Sequence, residues 1–370
     1  MTHPSMTITV RSFAKINLGL RIGAAREDGF HELLTVYQTI GLHDVIGVSV
    51  GRGTGIEIQC DDPRVPRDES NTCFRIAEKA MRALGAKARV VIEIGKRLPV
   101  QGGLGGASAN AVGTLLGLER ALRKTLPAVD RLRIAAEVGS DLPLFLVGGT
   151  VLGVGRGEQV YPLVDLPAMA CVVVTPNVGV STPKAFAAWD RKVGEGLKPS
   201  SSEETDAALK RRSSTSSSST ISATRSSHTT AGAPGKLTAS VASDRMNELG
   251  RGLSAWLSEP YSSAPSRFLA RGGRAENPLL WLVRAGIEND FERVVFPEYP
   301  ELRDGKRALL SAGAKYASLS GSGSTLYGLF SSRAAALRAT ARLRKQGWAA
   351  QATVTLPRRQ YWKKFLVSSF

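Results

Sequence analysis

Two polar side chains interrupt an apolar run near the start of the chain, Ser12-Phe13-Ala14-Lys15-Ile16-Asn17-Leu18-Gly19-Leu20. Residues two apart in a strand share a face, so Lys15 and Asn17 point the same way. A lone lysine in such a strand snorkels to water. A lysine beside an asparagine on one strand face leans towards a site. Asp141 stands ahead of a second apolar stretch, Gly139-Ser140-Asp141-Leu142-Pro143-Leu144-Phe145-Leu146. An aspartate there caps a helix or takes the proton of a substrate hydroxyl, and one residue can do both. Between these two runs lies the glycine-rich segment Lys96-Arg97-Leu98-Pro99-Val100-Gln101-Gly102-Gly103-Leu104-Gly105-Gly106-Ala107-Ser108-Ala109-Asn110. Glycines allow close backbone approach and positive φ. The segment runs into a helix, whose free N–H groups and positive dipole end suit a phosphate. A turn between strand and helix is the competing reading. Neither GxxxxGK[ST] nor GxGxxG occurs in the chain, so this is not a Walker loop or a dinucleotide fingerprint. Alone, the later run Ser318-Leu319-Ser320-Gly321-Ser322-Gly323-Ser324 reads as a hairpin turn. His31, after the turn Arg26-Glu27-Asp28-Gly29-Phe30, reads alone as a surface histidine.

The elements that must position these residues follow from hydrophobic periodicity. Ile8 and Val10 open a strand. Val45–Val50, Ile56–Cys60 and Val90–Ile94 read as further strands. Asn71–Leu84 reads as a helix with Asn71 as N-cap. The glycine-rich segment leads into a helix carrying Val112, Leu115, Leu116 and Leu122, and another helix follows near Leu132–Val138. Later come a strand at Met169–Thr175 and helices at Pro278–Val294 and Tyr299–Ala312. Strands at Tyr316–Ser320 and Thr325–Phe330, a helix at Ala334–Lys345 and an edge strand at Trp348–Thr355 complete the pattern. Strand, helix, strand, strand, helix, strand is the split βαβ order of a ferredoxin-like domain. The expected fold is α+β in two domains, residues 6–165 and 166–355, followed by a basic tail at 356–370. Residues 193–242 are rich in Ser, Thr, Gly and charge, and are expected to be a disordered insertion.

The chain has 370 residues, which suits two domains, and a net charge of +17. Nine of its basic residues, and no acid, fall in the last forty positions. That reads as a solvated helix face and a tail; without interleaved aromatic motifs, nucleic acid is not an expected partner. Three scattered cysteines and four histidines without metal-ligand spacing exclude a disulfide scaffold and a His- or Cys-built metal site. No run is long enough for a membrane helix and no leader pattern opens the chain, so a cytoplasmic protein is expected, as monomer or homodimer.

In order, these segments resemble the GHMP kinase superfamily. The glycine loop and the Ser320–Ser324 run carry the general likeness. Ala14-Lys15-Ile16-Asn17-Leu18, Arg26–Leu33, Gly139–Leu146, Gly153-Val154-Gly155-Arg156-Gly157-Glu158 and Asn289-Asp290-Phe291-Glu292 point to the branch acting on a cytidyl-diphospho-methylerythritol. The likeness spans residues 6–190 and 275–355. It implies an N-terminal ribosomal-protein-S5-like domain and a C-terminal ferredoxin-like domain. It also implies transfer of the ATP γ-phosphoryl group to the substrate 2-hydroxyl with Mg²⁺, in non-mevalonate isoprenoid precursor synthesis. By the same resemblance, Asp141 is the general base and Lys15 its electrostatic partner. ATP would meet Pro99, Gly102, Gly103, Leu104, Gly105, Gly106, Ala107, Ser108 and Ala109, with Lys96 and Asn71. The cytidyl substrate would meet Asn17, His31 and Thr182, with Phe30 and Phe186 stacking on the base. The family loop usually ends in two serines; here the second is Ala109, which leaves Ser108 or water to supply a hydroxyl to the metal.

Overall fold

The computed structural model describes residues 7–195 and 288–367. Strand β1 (Ile8–Ala25) and β2 (His31–Gly51) form a long antiparallel hairpin. Its turn is the expected one: Arg26 N–H donates to Phe30 O, and Phe30 N–H donates to Asp28 Oδ1. At 21 residues β2 is long enough to hold several partners. It pairs β1 along its length, β4 (Arg89–Gly95) at one end and β5 (Thr150–Val154) at the other. β3 (Ile56–Gln59) and β6 (Gln159–Pro162) complete a six-stranded sheet.

Helices α1 (Thr72–Ala83), α2 (Gly106–Leu122), α3 (Ala128–Val138) and the short α4 (Leu142–Val147) complete this part of the molecule. As expected, Asn71 is the N-cap of α1, its Oδ1 accepting from Cys73 N–H at 2.8 Å. Every residue of α2 from Ala109 to Glu119 is buried. Gly117 lets the helix lie close on the sheet, since a Cβ there would come within 2.9 Å of Val48 Cγ2. Val10, Ile46, Val48, Ile76, Ile92 and Leu115 form the core beneath. Burying each such side chain contributes roughly 1.5–3 kcal/mol.

The second sheet has the order β10-β7-β9-β8 and is antiparallel throughout. Its strands are β7 (Ala170–Val174), β8 (Tyr316–Leu319), β9 (Leu326–Phe330) and β10 (Ala350–Val354), the last at the expected edge. Helices α5 (Thr182–Glu195), α6 (Glu292–Glu298), α7 (Pro300–Ser311) and α8 (Arg333–Lys345) accompany it. Trp189, Phe291, Leu302, Leu309 and Leu343 join its core. A third apolar cluster joins the sheets: Ala14, Ile16 and Leu18 of β1 with Val173, Tyr327 and Leu329. β1 is thus apolar on the face that meets the second sheet, leaving Lys15 and Asn17 the other face.

Two expectations are modified, and a third falls almost entirely outside the described residues. The insertion at 193–242 lies outside the described residues except for 193–195, which close α5. Of the helix expected over Pro278–Val294, only 288–294 are described. There Asn289 bridges to Leu20 of β1 and the helix starts at Glu292, because the Glu288 carbonyl and the Asp290 N–H are engaged by Leu20 of that strand. The basic tail is not a free tail. Residues Arg358–Phe365 form a helix, α9, packed on the first sheet's core. Tyr361 and Phe365 are buried four apart, one helical turn, and Tyr361 OH donates to Phe145 O at 2.7 Å. The Arg358 guanidinium donates to the carbonyls of Gly148, Thr150 and Leu163. Here the basic residues flank apolar ones that fill the core.

Candidate active site

Lys15 is 3% exposed, yet its ammonium has two partners: Asn17 Oδ1 at 2.7 Å and Asp141 Oδ2 at 3.3 Å. The pairing of Lys15 with Asn17 is what their shared strand face predicts. Asn17 is held in turn, its Nδ2 donating to Thr35 Oγ1 at 2.8 Å, and Thr35 donates to Gly19 O. Asp141 occupies the N-cap position of α4, but its side chain makes no capping hydrogen bond. Its carboxylate instead receives Lys15 on one oxygen and the Tyr37 hydroxyl on the other, the latter at 3.1 Å. The Asp141 side chain keeps 34% exposure, so a ligand can reach it. Tyr37 is fully enclosed, and burial first, then the Asp141 charge, hold its phenol well above the ordinary tyrosine range. The phenol therefore remains a donor at all ordinary pH values.

The glycine loop closes against this group. Lys15 N–H donates to Leu104 O at 3.0 Å. Gly103 has φ +75°, and a Cβ on it would collide with the Ser320 carbonyl oxygen. Ser320 Oγ donates to Gly103 O at 2.9 Å, and Thr325 N–H to Gly102 O at 3.2 Å. The Ser320–Ser324 run is thus more than a hairpin turn: it braces the glycine loop from the second domain. Asn289 fixes that run, its Nδ2 donating to Leu319 O and Gly321 O, both at 2.8 Å. Thr182 at the start of α5 joins it through a 2.8 Å contact between its hydroxyl and that of Ser322.

A cleft of about 390 Å³ is lined by Asn71, Lys96, Pro99 and residues 100–108, with the N-terminus of α2 at the loop's end. Its size is in the range of small-molecule sites. Lys96 and Asn71 line it, though each already has a structural partner. The Lys96 ammonium meets Asp44 Oδ2 at 2.6 Å, and Asp44 also accepts from Arg97 N–H, Leu98 N–H and Asn110 Nδ2. Asn71 Nδ2 donates to Pro66 O. Ala109 departs from expectation. Its side chain is 3% exposed and belongs to the core under α2, because the helix has already turned that position inward.

The expected base-stacking group is only partly assembled as foreseen. His31 lies flat on Phe186, with ring centroids 4.8 Å apart and planes 13° apart. Its Nε2 is 2.7 Å from Asp190 Oδ1. Phe186 also meets the edge of Phe291. Phe30 is half exposed and carries the Arg156 guanidinium on its ring at 4.9 Å. One face of Phe186 is therefore taken by His31 rather than left open opposite Phe30. Sequence reasoning missed Tyr37, Thr35 and Asp190. All three act across strands or helices, through contacts that spacing along one element does not reveal.

Comparison with known proteins adds to this geometry. A family model for the GHMP kinases N terminal domain matches residues 71–149, and one for GHMP kinases C terminal matches residues 279–348. A protein of Solibacter usitatus (strain Ellin6076) named 4-diphosphocytidyl-2-C-methyl-D-erythritol kinase is 33% identical over 330 residues, covering 89% of this chain and 83% of its own length. A protein of the same name from Acaryochloris marina (strain MBIC 11017) is 32% identical, covering 89% and 88%. Among solved structures, a 4-(cytidine 5'-diphospho)-2C-methyl-D-erythritol kinase matches with a TM-score of 0.61 at 25% identity, covering 94% of this chain and 99% of its own. A homoserine kinase from Cytophaga hutchinsonii ATCC 33406 matches with a TM-score of 0.62 at 20% identity, covering 96% of each, and shows the shared fold.

Proposed function

This chain belongs to the family of 4-diphosphocytidyl-2-C-methyl-D-erythritol kinases within the GHMP kinases, and from that premise we propose that it moves the γ-phosphoryl group of ATP to the 2-hydroxyl of 4-diphosphocytidyl-2-C-methyl-D-erythritol. The products would be the 2-phosphate and ADP. The observation that carries the reading is the 3.3 Å pair of Lys15 and Asp141 beside the glycine loop.

In this mechanism Asp141 accepts the proton of the substrate hydroxyl as that oxygen attacks the γ-phosphorus. Tyr37 donates to one carboxylate oxygen, which turns the carboxylate and leaves the other oxygen facing Lys15. The Lys15 ammonium lies where charge gathers on the transferring group. Backbone N–H groups of the loop and the start of α2 hold the phosphates. His31, Phe186, Asn17, Thr182 and Phe30 are the candidates for holding the cytidyl end.

Among the described residues, no three His, Cys, Asp or Glu side chains gather as a metal cage. The Ser108 hydroxyl, which lines the cleft, would be the protein oxygen nearest a nucleotide-bound Mg²⁺, the remaining ligands being phosphate oxygens and water. When bound, Mg²⁺ would neutralise phosphate charge.

The test is ADP release with the cytidyl substrate, mevalonate and homoserine offered separately. Turnover of the cytidyl substrate alone is the expected result. Turnover confined to either of the others would reject the reading. Among the described residues no helix is long and apolar enough to cross a membrane, in keeping with soluble small-molecule substrates.

A further inference from the structure

We propose that Asn289 is a positioning residue for nucleotide binding: through the Ser320–Ser324 run it holds the glycine loop and Lys15 in the arrangement that binds ATP. This rests on the reading of the glycine loop as the ATP-phosphate site. The Asn289-Asp290-Phe291-Glu292 segment takes no part in the chemistry above, yet Asn289 is 2% exposed and Asp290 is fully buried.

The segment is anchored to β1, the strand that carries Lys15 and Asn17. Leu20 N–H donates to Glu288 O and Asp290 N–H to Leu20 O, both at 2.9 Å. The Asp290 carboxylate accepts from Ile22 N–H and from the Arg21 guanidinium, each at 3.0 Å. From this anchor the Asn289 amide reaches the serine run. An amide nitrogen has two N–H donors, and here one meets Leu319 O and the other Gly321 O. Asn289 Oδ1 accepts from Phe291 N–H at 3.1 Å, which fixes the end of the amide that faces the run.

On its other side the run meets the site. Ser320 Oγ donates to Gly103 O, and a Cβ on Gly321 would stand 3.6 Å from both Lys15 Nζ and Asn17 Oδ1. Lys15 N–H in turn donates to Leu104 O. The contacts close a ring: β1, residues 288–290, the run, the glycine loop, and β1 again. Asn289 is the link between the segment and the run. Glu292 accepts from Ser318 Oγ and Leu319 N–H, so it holds the end of β8 and neither Ser320 nor Gly321. Without the amide, two carbonyls lose their donors, a costly state in a closed setting. The run is then free to shift away from Gly103 and Lys15.

The experiment uses the full chain with ADP as probe, its dissociation constant read by calorimetry and a thermal melt recorded for each protein. Asn289→Asp keeps the size and the acceptor for Phe291 N–H, but turns a carboxylate on two carbonyl oxygens. ADP should bind it about 10-fold more weakly than wild type. Ser320→Ala removes the donor to Gly103 and should weaken ADP by about 3- to 10-fold. In the double variant the two losses should not multiply, because both open the same ring. Unchanged affinity in a folded Asn289→Asp, or losses that multiply, would overturn the proposal. If Asn289→Asp does not fold, amide exchange in wild type decides. Thr325 N–H, bonded to Gly102 O, should then exchange at least about 5-fold more slowly with ADP bound. Unchanged exchange there overturns the coupling of run and loop. A wild type that binds no ADP would overturn the glycine-loop reading and this proposal with it. ADP binding that is equal in wild type and variant rejects the role of Asn289 alone.

Discussion

Tyr37 and Lys15 hold opposite oxygens of one carboxylate: the phenol meets Asp141 Oδ1 at 3.1 Å and the ammonium meets Oδ2 at 3.3 Å. The three side chains come from β1, β2 and the start of α4, so the sheet and a short helix together set the geometry. This arrangement makes the roles of the three residues separable.

Asp141→Asn should lower kcat by at least about 100-fold, the contribution of a positioned general base. The side chain makes no capping bond and is part-exposed, so the thermal melt should change little. Steady-state kinetics beside a melt reads both. Near-normal kcat in this variant removes the proton-acceptor role.

Tyr37→Phe removes the donor to Asp141 and leaves the ring in place. We expect kcat to fall about 10-fold and stability by about 1 kcal/mol, the net contribution of one buried hydrogen bond. A variant with unchanged kcat and lowered stability would make Tyr37 a packing residue only.

Gly103→Ala places a methyl group against the Ser320 carbonyl and asks for φ +75° in a residue with a side chain. Left-handed backbone costs about 1 kcal/mol or more for alanine, and the collision adds to it. The KM for ATP should rise at least about 10-fold, because the loop and its brace from the second domain must part. A normal KM would show that the loop adapts without that brace.

Phe365→Ala should cost about 3–5 kcal/mol, as expected for emptying a buried aromatic position. Lys363→Ala on the same helix should cost less than about 0.5 kcal/mol. Urea midpoints for the two variants decide it. Equal, small effects would restore the picture of a solvated basic tail.

Stability should fall steeply in alkali. Tyr37, Tyr327 and Tyr361 are buried and Tyr316 is partly so, and burial is the leading cause that raises each phenol above its ordinary value. Folded values above unfolded ones mean that the contribution is intact below about pH 10 and is lost as the pH rises beyond it. Each phenol adds a slope of about 1.4 kcal/mol per pH unit there. Denaturation midpoints between pH 7 and 11 should be flat, then drop, and Tyr37→Phe should make the drop shallower by one proton. A flat profile to pH 11 would contradict the enclosure of these groups.

What could be read from the chain alone follows from the range of the interactions involved. Lys15 and Asn17 were legible because a strand's period of two links them directly. Asn71 was legible as a cap because capping is local, and the glycine loop because its composition has few other uses. Tyr37 was not, since its contact with Asp141 depends on the register of β1 with β2 and on where α4 begins. On its own spacing His31 reads as a surface residue; its partners Phe186 and Asp190 lie on a helix more than 150 positions away. The α9 helix was hidden by its own charge, because four basic residues outweigh Tyr361 and Phe365 in any average over that segment. The two-sheet architecture was visible in outline, but the length of β2 was not, since its polar residues Thr35, Gln38 and Thr39 are buried by hydrogen bonds rather than by apolar character.

The seat of α9 also bears on how the protein is made. Its Tyr361 and Phe365 close a core whose other members, such as Val10, Phe13 and Phe145, are synthesised more than two hundred residues earlier. The first domain of a growing chain usually folds before the rest has been made. Here the first domain stays unsealed until residues 358–365 have been made, long after the strands and helices they pack on.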